Sequence, residues 1–211
     1  MFEIEYKGAN SFIITTKKVK LVFDPKLSIV GLKDVSTKGA VEIATEARFA
    51  VNSPESIITI DGPGEYGVAD LDILGIAARC YIDDESKPMM STIYRVEIGD
   101  SRVGVIGNIC EKLTDEQLEE LGLIDVLILP VGGGGYTLDA NGASALVRMI
   151  NPKVVIPVHY HDHQLKYEVP QDELSLFVAE LGAPVETVQK YKVKQQLLAG
   201  SPLSVVEISR S

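Results

Sequence analysis

The chain is short of cysteine, histidine and basic side chains, and it lacks any long apolar run. Its 211 residues contain two cysteines, Cys80 and Cys110, too few for the disulfide framework of a small secreted domain. We therefore predict reduced, buried thiols in a cytoplasmic protein. Met1 leads directly into an alternating strand pattern, which predicts no secretory signal. No apolar run approaches the ~20 residues that a membrane span requires.

Acidic residues outnumber basic ones by 30 to 20, which gives the chain a net charge of −10. A negative field of this size repels phosphate groups, so the composition argues against nucleic-acid binding and against a role at a lipid surface. A small molecule, another protein or further copies of the chain remain as possible partners. Because 45% of the residues are hydrophobic, the chain can bury a large core, and we predict one domain over residues 1–211.

The clearest pattern in the sequence lies near its C-terminal end. Residues 125–131 and 154–160 are apolar, β-branched runs that predict buried strands, and residues 138–150 between them predict a helix. Glycines 132–135 follow the first strand, and His159 lies at the end of the second. The ends of such strands are where α/β proteins place their sites. The glycine run could cradle a phosphate, but it lacks the Gly-Lys-Ser ending of a P-loop, so a tight turn is the preferred interpretation.

The rest of the chain predicts many strands and two more helices. Thr114 and Gln117 fit a capping box at the start of one helix, and the apolar spacing within residues 170–182 predicts the other. Asp24 precedes Pro25, which favours an extended conformation. Residues 26–55 are irregular, with a strand or a poor helix over 40–51. A tight turn is predicted at residues 61–67 and a charged loop at 83–87. The predicted strands are 2–6, 11–15, 19–23, 56–60, 71–77, 92–98, 102–106 and 203–208.

Seven short stretches, in this order, resemble the metallo-β-lactamase superfamily, and they span nearly the whole chain. More narrowly, the chain is similar to small Zn-dependent hydrolases of the β-lactamase fold, relatives of the ascorbate-6-phosphate lactonases. The resemblance implies an α/β fold, a four-layer αββα sandwich of two mixed sheets flanked by helices, with one or two metal ions in a cleft at the sheet edges. The stretches are YKGANSF (6–12), FDP (23–25), GPGEY (62–66), TIY (92–94), PVGG (130–133), YTLDA (136–140) and IPVHY (156–160).

The metal ligands of that family are mostly absent from this sequence. The family's chemistry rests on a His-x-His-x-Asp-His loop, a further histidine, an aspartate that bridges two metals, and a final histidine. Aligned on the family's pattern, Glu46 and Arg48 stand at the first two histidines, and Asn108 stands at the bridging aspartate. Ala9 stands where the family has the histidine of Gly-His-Ser. Of the family's ligands only the final histidine, His159, is kept, and Tyr160 follows it in what we interpret as a vestigial cleft.

All three histidines of the chain, His159, His161 and His163, lie close together in the sequence. If the segment is extended they fall on one side, and if it is helical the outer two are neighbours. Either geometry could form a new mononuclear zinc or manganese site, with Glu46 or Glu111 as a further ligand. The alternative is a polar loop after a strand, with His159 retained for packing and hydrogen bonding.

Three functions remain open from the sequence. The preferred hypothesis is a non-catalytic or divergent family member whose cleft has lost its metals and binds a ligand or a partner chain. The second is an active metal-dependent hydrolase of small esters or lactones that uses the His159–His163 cluster. The third is a structural subunit of a homo-oligomer. Standard two-metal hydrolysis is not expected, because three or more N or O ligands per ion are needed to activate a bound water.

Overall fold

The computed structural model describes residues 1–82, 89–110, 112–193 and 202–211, and the predicted charged loop at 83–87 lies outside them. Two mixed β-sheets form the centre of this fold. The strands are β1 (Phe2–Gly8), β2 (Ser11–Thr15), β3 (Lys20–Phe23), β4 (Val41–Ile43), β5 (Ile58–Ile60), β6 (Gly64–Val68), β7 (Leu71–Arg79), β8 (Met90–Ile98), β9 (Ser101–Val105), β10 (Val126–Pro130), β11 (Val154–Val158), β12 (Val185–Val188), β13 (Tyr191–Val193) and β14 (Ser204–Ile208).

The first sheet has the order β13-β1-β2-β3-β4-β5, and the second has the order β12-β14-β11-β10-β9-β8-β7-β6. Strands β6 to β9 form an antiparallel meander, whereas β9, β10, β11, β14 and β12 run parallel to one another. In the first sheet β1 to β3 are antiparallel, and β3, β4 and β5 are parallel. The parallel strands matter most for function, because their carboxyl ends bring loops together at one edge.

Three α-helices, α1 (Asp115–Leu121), α2 (Ala140–Ile150) and α3 (Leu174–Leu181), cover the outer face of the second sheet. Leu146 and Phe177 are fully buried there, packed against β10 and β11. A second apolar cluster lies between the sheets and includes Phe12, Phe23 and Tyr94. The outer face of the first sheet is covered more thinly, by the 3₁₀ turn Leu27–Val30 and by loop side chains. This architecture confirms the predicted two-sheet α/β fold.

The capping box that the sequence predicts is present in α1, and α2 also has a side-chain cap. The Thr114 side chain accepts from the backbone N–H of Gln117, and the Gln117 side chain accepts from the backbone N–H of Thr114. These two hydrogen bonds complete the capping box of α1. The Asp139 side chain accepts from the N–H of Gly142 at the start of α2. Helix α3 is shorter than predicted, because the chain first becomes helical at Leu174 rather than near residue 170.

The secondary structure also differs from the prediction at a turn, at two strands and at Asp24. The predicted tight turn at 61–67 is limited to its first residues, since Gly64–Val68 forms β6 and pairs with β7. Strands β12 and β13 were not predicted. Most of their residues are exposed, so they lack the apolar alternation that marks a strand. Asp24 has a φ of +44°, so it is left-handed rather than extended.

Candidate functional site

Side chains from both sheets converge at one edge of the molecule. Asn108, Tyr136 and His159 follow the carboxyl ends of the parallel strands β9, β10 and β11. Glu46 follows β4 of the other sheet, and Asn10 lies in the turn between β1 and β2. The sequence separates these residues by up to about 150 positions, and the topology of the two sheets brings them together.

Four of these side chains form one hydrogen-bonded chain, which we call the polar relay: His159, Asn10, Asn108 and Glu46. His159 Nδ1 lies 3.1 Å from Asn10 Oδ1, and Asn10 Nδ2 donates to Asn108 Oδ1 at 3.0 Å. Asn108 Nδ2 then donates to Glu46 Oε1 at 3.1 Å. All four residues are buried. The polar relay therefore crosses the interior of the site without an unpaired amide.

The direction of the polar relay is fixed at its glutamate end. Glu46 Oε2 accepts from Arg48 Nε at 2.7 Å, and a carboxylate in an ion pair offers only hydrogen-bond acceptors. Asn108 must therefore turn its NH₂ to Glu46 and its oxygen to Asn10. Asn10 must in turn present its oxygen to His159. His159 consequently carries its proton on Nδ1, which leaves Nε2 with a free lone pair.

Arg48 and Tyr136 close the other side of the site. Arg48 Nη2 donates to the Tyr136 hydroxyl at 2.5 Å, and the guanidinium carbon lies 5.3 Å from the centre of the Tyr136 ring. The same guanidinium lies 4.7 Å from the Phe49 ring centre. The Tyr136 ring stacks on His159 with 5.5 Å between centroids. Burial raises the pKa of Tyr136 to about 12, so its hydroxyl stays protonated.

His159 lies deep in the site and is 4% exposed. Tyr136 and Tyr167 border its imidazole, with the Tyr167 ring centre 4.9 Å away. Burial, together with the positive charge of Arg48, lowers the pKa of His159 to about 3. The backbone at His159 is left-handed, with a φ of +50°, and its N–H donates to the Ala9 carbonyl at 2.9 Å. The imidazole is therefore neutral at physiological pH and held from several sides.

Asp24 supports the site from beneath. Its two carboxyl oxygens contact the backbone N–H and the hydroxyl of Thr45, each at 2.7 Å, and Thr45 directly precedes Glu46. Burial raises the pKa of Asp24 to about 7, because the charged form loses its hydration. Asp24 thus anchors the loop that carries Glu46 and Arg48.

The donor set of this site does not fit a pair of metal ions. Glu46 already accepts from Asn108 and Arg48, and the two amides are neutral. The guanidinium of Arg48 would repel a divalent cation placed beside Glu46. Within the described residues, no three His, Cys, Asp or Glu side chains are grouped so that they could hold a metal.

The three histidines are arranged differently from either geometry expected from the sequence. Strand β11 ends at Val158, and the chain turns at His159 rather than continuing extended or becoming helical. His161 Nε2 lies 3.1 Å from His163 Nδ1 nearer the surface, and His161 lies 3.7 Å from the exposed Glu173. His159 bonds to Asn10 instead. The described residues thus do not group the histidines into one ligand set, and Glu111 lies outside the described residues.

Of the predicted cleft residues, Glu46, Arg48, Asn108 and His159 lie together. Tyr160 points elsewhere, with its ring 5.9 Å from the ring of Tyr6 in the apolar core. Cys80 is buried as predicted, whereas Cys110 is only partly buried. Cys110 Sγ donates to the Cys80 carbonyl at 3.1 Å, and the two cysteines form no disulfide.

Sequence reasoning missed four residues of the site: Asn10, Tyr136, Tyr167 and Gln171, the last of which lines the same cavity as His159 and Tyr136. Asn10 and Tyr136 belong to the stretches that carry the family resemblance, so their positions were a usable signal. Tyr167 and Gln171 lie in a loop without periodicity, and nothing in the sequence marked them.

A family comparison identifies the scaffold. The model of the beta-lactamase superfamily domain matches residues 3–159, which is well over half of the chain. The chain belongs to this superfamily. The matched region begins in β1 and ends at His159, so it includes every member of the polar relay.

Curated relatives of this superfamily member match shorter stretches. A UPF0173 metal-dependent hydrolase of Natranaerobius thermophilus is 36% identical over 78 residues, 33% of this chain and 35% of that protein. One of Nanoarchaeum equitans is 44% identical over 46 residues, 22% of this chain and 21% of that protein. These alignments span only about a third or less of each relative.

Solved structures support the fold over the full length. A candidate Zn-dependent hydrolase of the metallo-β-lactamase superfamily from Thermotoga maritima superposes with a TM-score of 0.74, at 22% identity, over 99% of this chain and 100% of that one. A metallo hydrolase from Ignicoccus hospitalis gives a TM-score of 0.65 at 17% identity, over 98% and 95%. At these identities the likeness establishes the fold alone. In the described part of the chain, each helix is too short or too polar to span a bilayer.

Proposed function

We propose that this superfamily member binds a small ligand in its cleft and works without the family's pair of metal ions. The polar relay from His159 to Glu46 is the observation that carries this proposal. Each relay residue is already hydrogen-bonded to another protein group, so binding a metal pair would require several of these bonds to break. On this proposal the chain performs no two-metal hydrolysis.

Arg48 supports the proposal through its charge. Its guanidinium pairs with Glu46, and its side chain remains 39% exposed to solvent. The guanidinium of Arg48 therefore already neutralises Glu46, the negative end of the polar relay. The guanidinium of Arg48 thus supplies, opposite Glu46, a positive charge of the kind that a metal ion would supply, and it holds the carboxylate through directional N–H donors.

A second candidate function is a metal-dependent hydrolase, since the curated relatives are named as such and the scaffold is the same. Zinc or manganese would then have to bind a rearranged site that includes His159. A cytoplasmic location and the absence of nucleic-acid partners stay predictions from composition.

Metal content is the decisive measurement. Tag-free protein is analysed by inductively coupled plasma mass spectrometry before and after mild chelation, and its melting temperature is followed in excess zinc. We expect far less than one ion per chain and an unchanged melting temperature. If zinc did bind, a concentration of 100 times its Kd would stabilise the folded chain by about 2.7 kcal/mol and raise the melting temperature.

A matched control variant excludes metal ions that bind to histidines near the surface. The His161→Ala/His163→Ala variant lacks the near-surface pair that could collect stray zinc or nickel, and it keeps the buried His159. One tightly held ion per chain in this variant, lost on His159→Ala, would contradict the proposal and favour the hydrolase.

A further inference from the structure

A narrow cleft opens beside His159 and Tyr136. Its enclosed volume is small, about 30 Å³, so the space beside the imidazole is a slot rather than a chamber. Its walls are mainly apolar or aromatic, with Ile29, Val30, Phe49, Tyr136, Tyr167 and Val169 among them. Such a slot suits a flat, largely apolar molecule.

The first polar group offered to this cleft is the imidazole of His159. Its Nδ1 is committed to Asn10, and the direction of the polar relay places the proton there. In the described part of the chain, Nε2 has no hydrogen-bond partner, and the ring borders the cleft. His159 therefore presents an acceptor and no donor at this wall.

The second polar group is the amide of Gln171, which also lines the cleft and is 6% exposed. Its Nε2 donates to the carbonyl of Val169 at 3.1 Å, which fixes the orientation of the amide. Its Oε1 is buried and has no hydrogen-bond partner among the residues that the structure describes. A buried acceptor without a partner has lost its hydration without compensation, so a ligand that donates to it would be favoured.

Charges around the cleft disfavour an ionised ligand. Asp24 and Glu168 line it, so an anion would meet two carboxyl groups as well as two acceptors. Lys26 lines it too, and the Arg48 guanidinium lies 5.3 Å from the centre of the Tyr136 ring, so two positive groups would repel a cation. Burying a charge without a partner is costly.

We propose that this cleft binds a small, uncharged, flat molecule whose O–H or N–H group donates to His159 Nε2 or Gln171 Oε1. A ring that carries a phenolic hydroxyl or a carboxamide has this chemistry. The inference rests on the proposed function, because a metal ion on His159 would occupy the same Nε2.

Three probes of similar shape test the inference by NMR titration of chelator-treated, tag-free protein. Phenol has a donor, anisole has the same ring without one, and benzoate adds a negative charge. We expect phenol to shift the signals of Tyr136 and Tyr167, and anisole and benzoate to bind at least tenfold more weakly. Equal affinity for phenol and anisole, tighter binding of benzoate, or no binding of phenol would each overturn the inference.

The acceptor groups are tested separately. Long-range ¹H–¹⁵N correlation spectra of the wild-type imidazole are expected to show a protonated Nδ1 and an unprotonated Nε2 at pH 7, and the opposite tautomer would overturn the inference. Gln171→Met keeps an unbranched side chain without the acceptor, so the preference for phenol over anisole should fall severalfold. An unchanged preference would remove Gln171 from the site and leave His159 as the tested acceptor.

A zinc addition separates this inference from the function on which it rests. If one equivalent of zinc binds and displaces phenol, the metal-free proposal fails while the donor preference of the chelated protein stands. If zinc has no effect and phenol and anisole bind equally, the metal-free proposal stands and the ligand class is wrong.

Discussion

Two buried glutamates, four positions apart, differ in what holds them. Glu42 is fully buried in β4, and Glu46 is 4% exposed in the loop that follows. Glu42 accepts from the backbone N–H groups of Val51 and Asn52 at 2.5 and 2.9 Å, and from the hydroxyl of Ser56 at 3.1 Å. All these partners lie close in sequence, so Glu42 holds its own local loop in place.

Glu46 instead takes its partners from the cleft. Asn108, 62 positions away, donates to one oxygen, and Arg48 donates to the other. A carboxylate saturated by backbone donors fixes a fold, because those donors have no alternative acceptor once buried. A carboxylate held by side chains at a half-open cleft sets the polarity of a site. Burial alone therefore does not separate structural from functional acids in this protein.

Replacement of Glu42 is the strongest way to test this comparison. Glu42→Ala removes the acceptor of two partly buried backbone N–H groups, those of Val51 and Asn52, and we expect the free energy of unfolding to fall by about 2–4 kcal/mol. Urea denaturation at pH 7 measures it. Glu55→Ala is the matched control, because Glu55 forms an exposed ion pair with Lys38 and should cost less than about 1 kcal/mol. A loss below about 1 kcal/mol for Glu42→Ala would mean that Glu42 does not hold the fold, and the contrast between Glu42 and Glu46 would fail.

A second prediction concerns pH, through two buried groups whose pKa values are shifted in opposite directions. The pKa of His159 falls from 6.5 to about 3, so its contribution to stability is complete above pH 6.5 and is lost as the pH falls towards 3. The pKa of Asp24 rises from 3.8 to about 7, so its contribution is complete below pH 3.8 and is lost as the pH rises through 7. Between about pH 4 and 6.5 the folded and unfolded states carry equal numbers of protons on this pair, and the two effects cancel.

Asp24→Asn removes one side of this cancellation. Asparagine tolerates the left-handed φ of this position, and its amide can still bond Thr45. Relative to wild type, we expect the stability of the variant to rise by up to about 1.4 kcal/mol per pH unit between pH 4 and 6.5. Denaturation curves across this range measure it. Parallel curves for the two proteins would mean that Asp24 titrates in its ordinary range.

Much of the fold could be predicted from local pattern. The strand–helix–strand unit from β10 to β11 is apolar with a clear period, and the capping box of α1 lies where Thr114 and Gln117 place it. Strands β12 and β13 could not be predicted. They are short and mostly exposed, so their pairing depends on neighbours that are distant in sequence.

The site was predictable only in part. Glu46, Arg48, Asn108 and His159 could be named because a family pattern assigns positions to ligands, and the fold brings these positions together. Asn10 lies in one of the matched stretches, but the family pattern assigns it no ligand role, and Gln171 lies outside those stretches. Their roles depend on which atom faces which partner, and this is fixed by the three-dimensional network rather than by residue type.

Glu46→Gln is expected to have the smallest effect on stability, about 1 kcal/mol. The glutamine oxygen can still accept from Asn108, and the half-exposed guanidinium of Arg48 recovers water when its charged partner is lost. Glu42→Gln is the matched variant. Its NH₂ group would meet the backbone N–H donors of Val51 or Asn52, so it should cost about 2–3 kcal/mol. Urea denaturation of both variants gives the comparison. If Glu46→Gln costs as much as Glu42→Gln, the cleft carboxylate is needed to fold the chain, and its pairing with Arg48 no longer argues for a binding site.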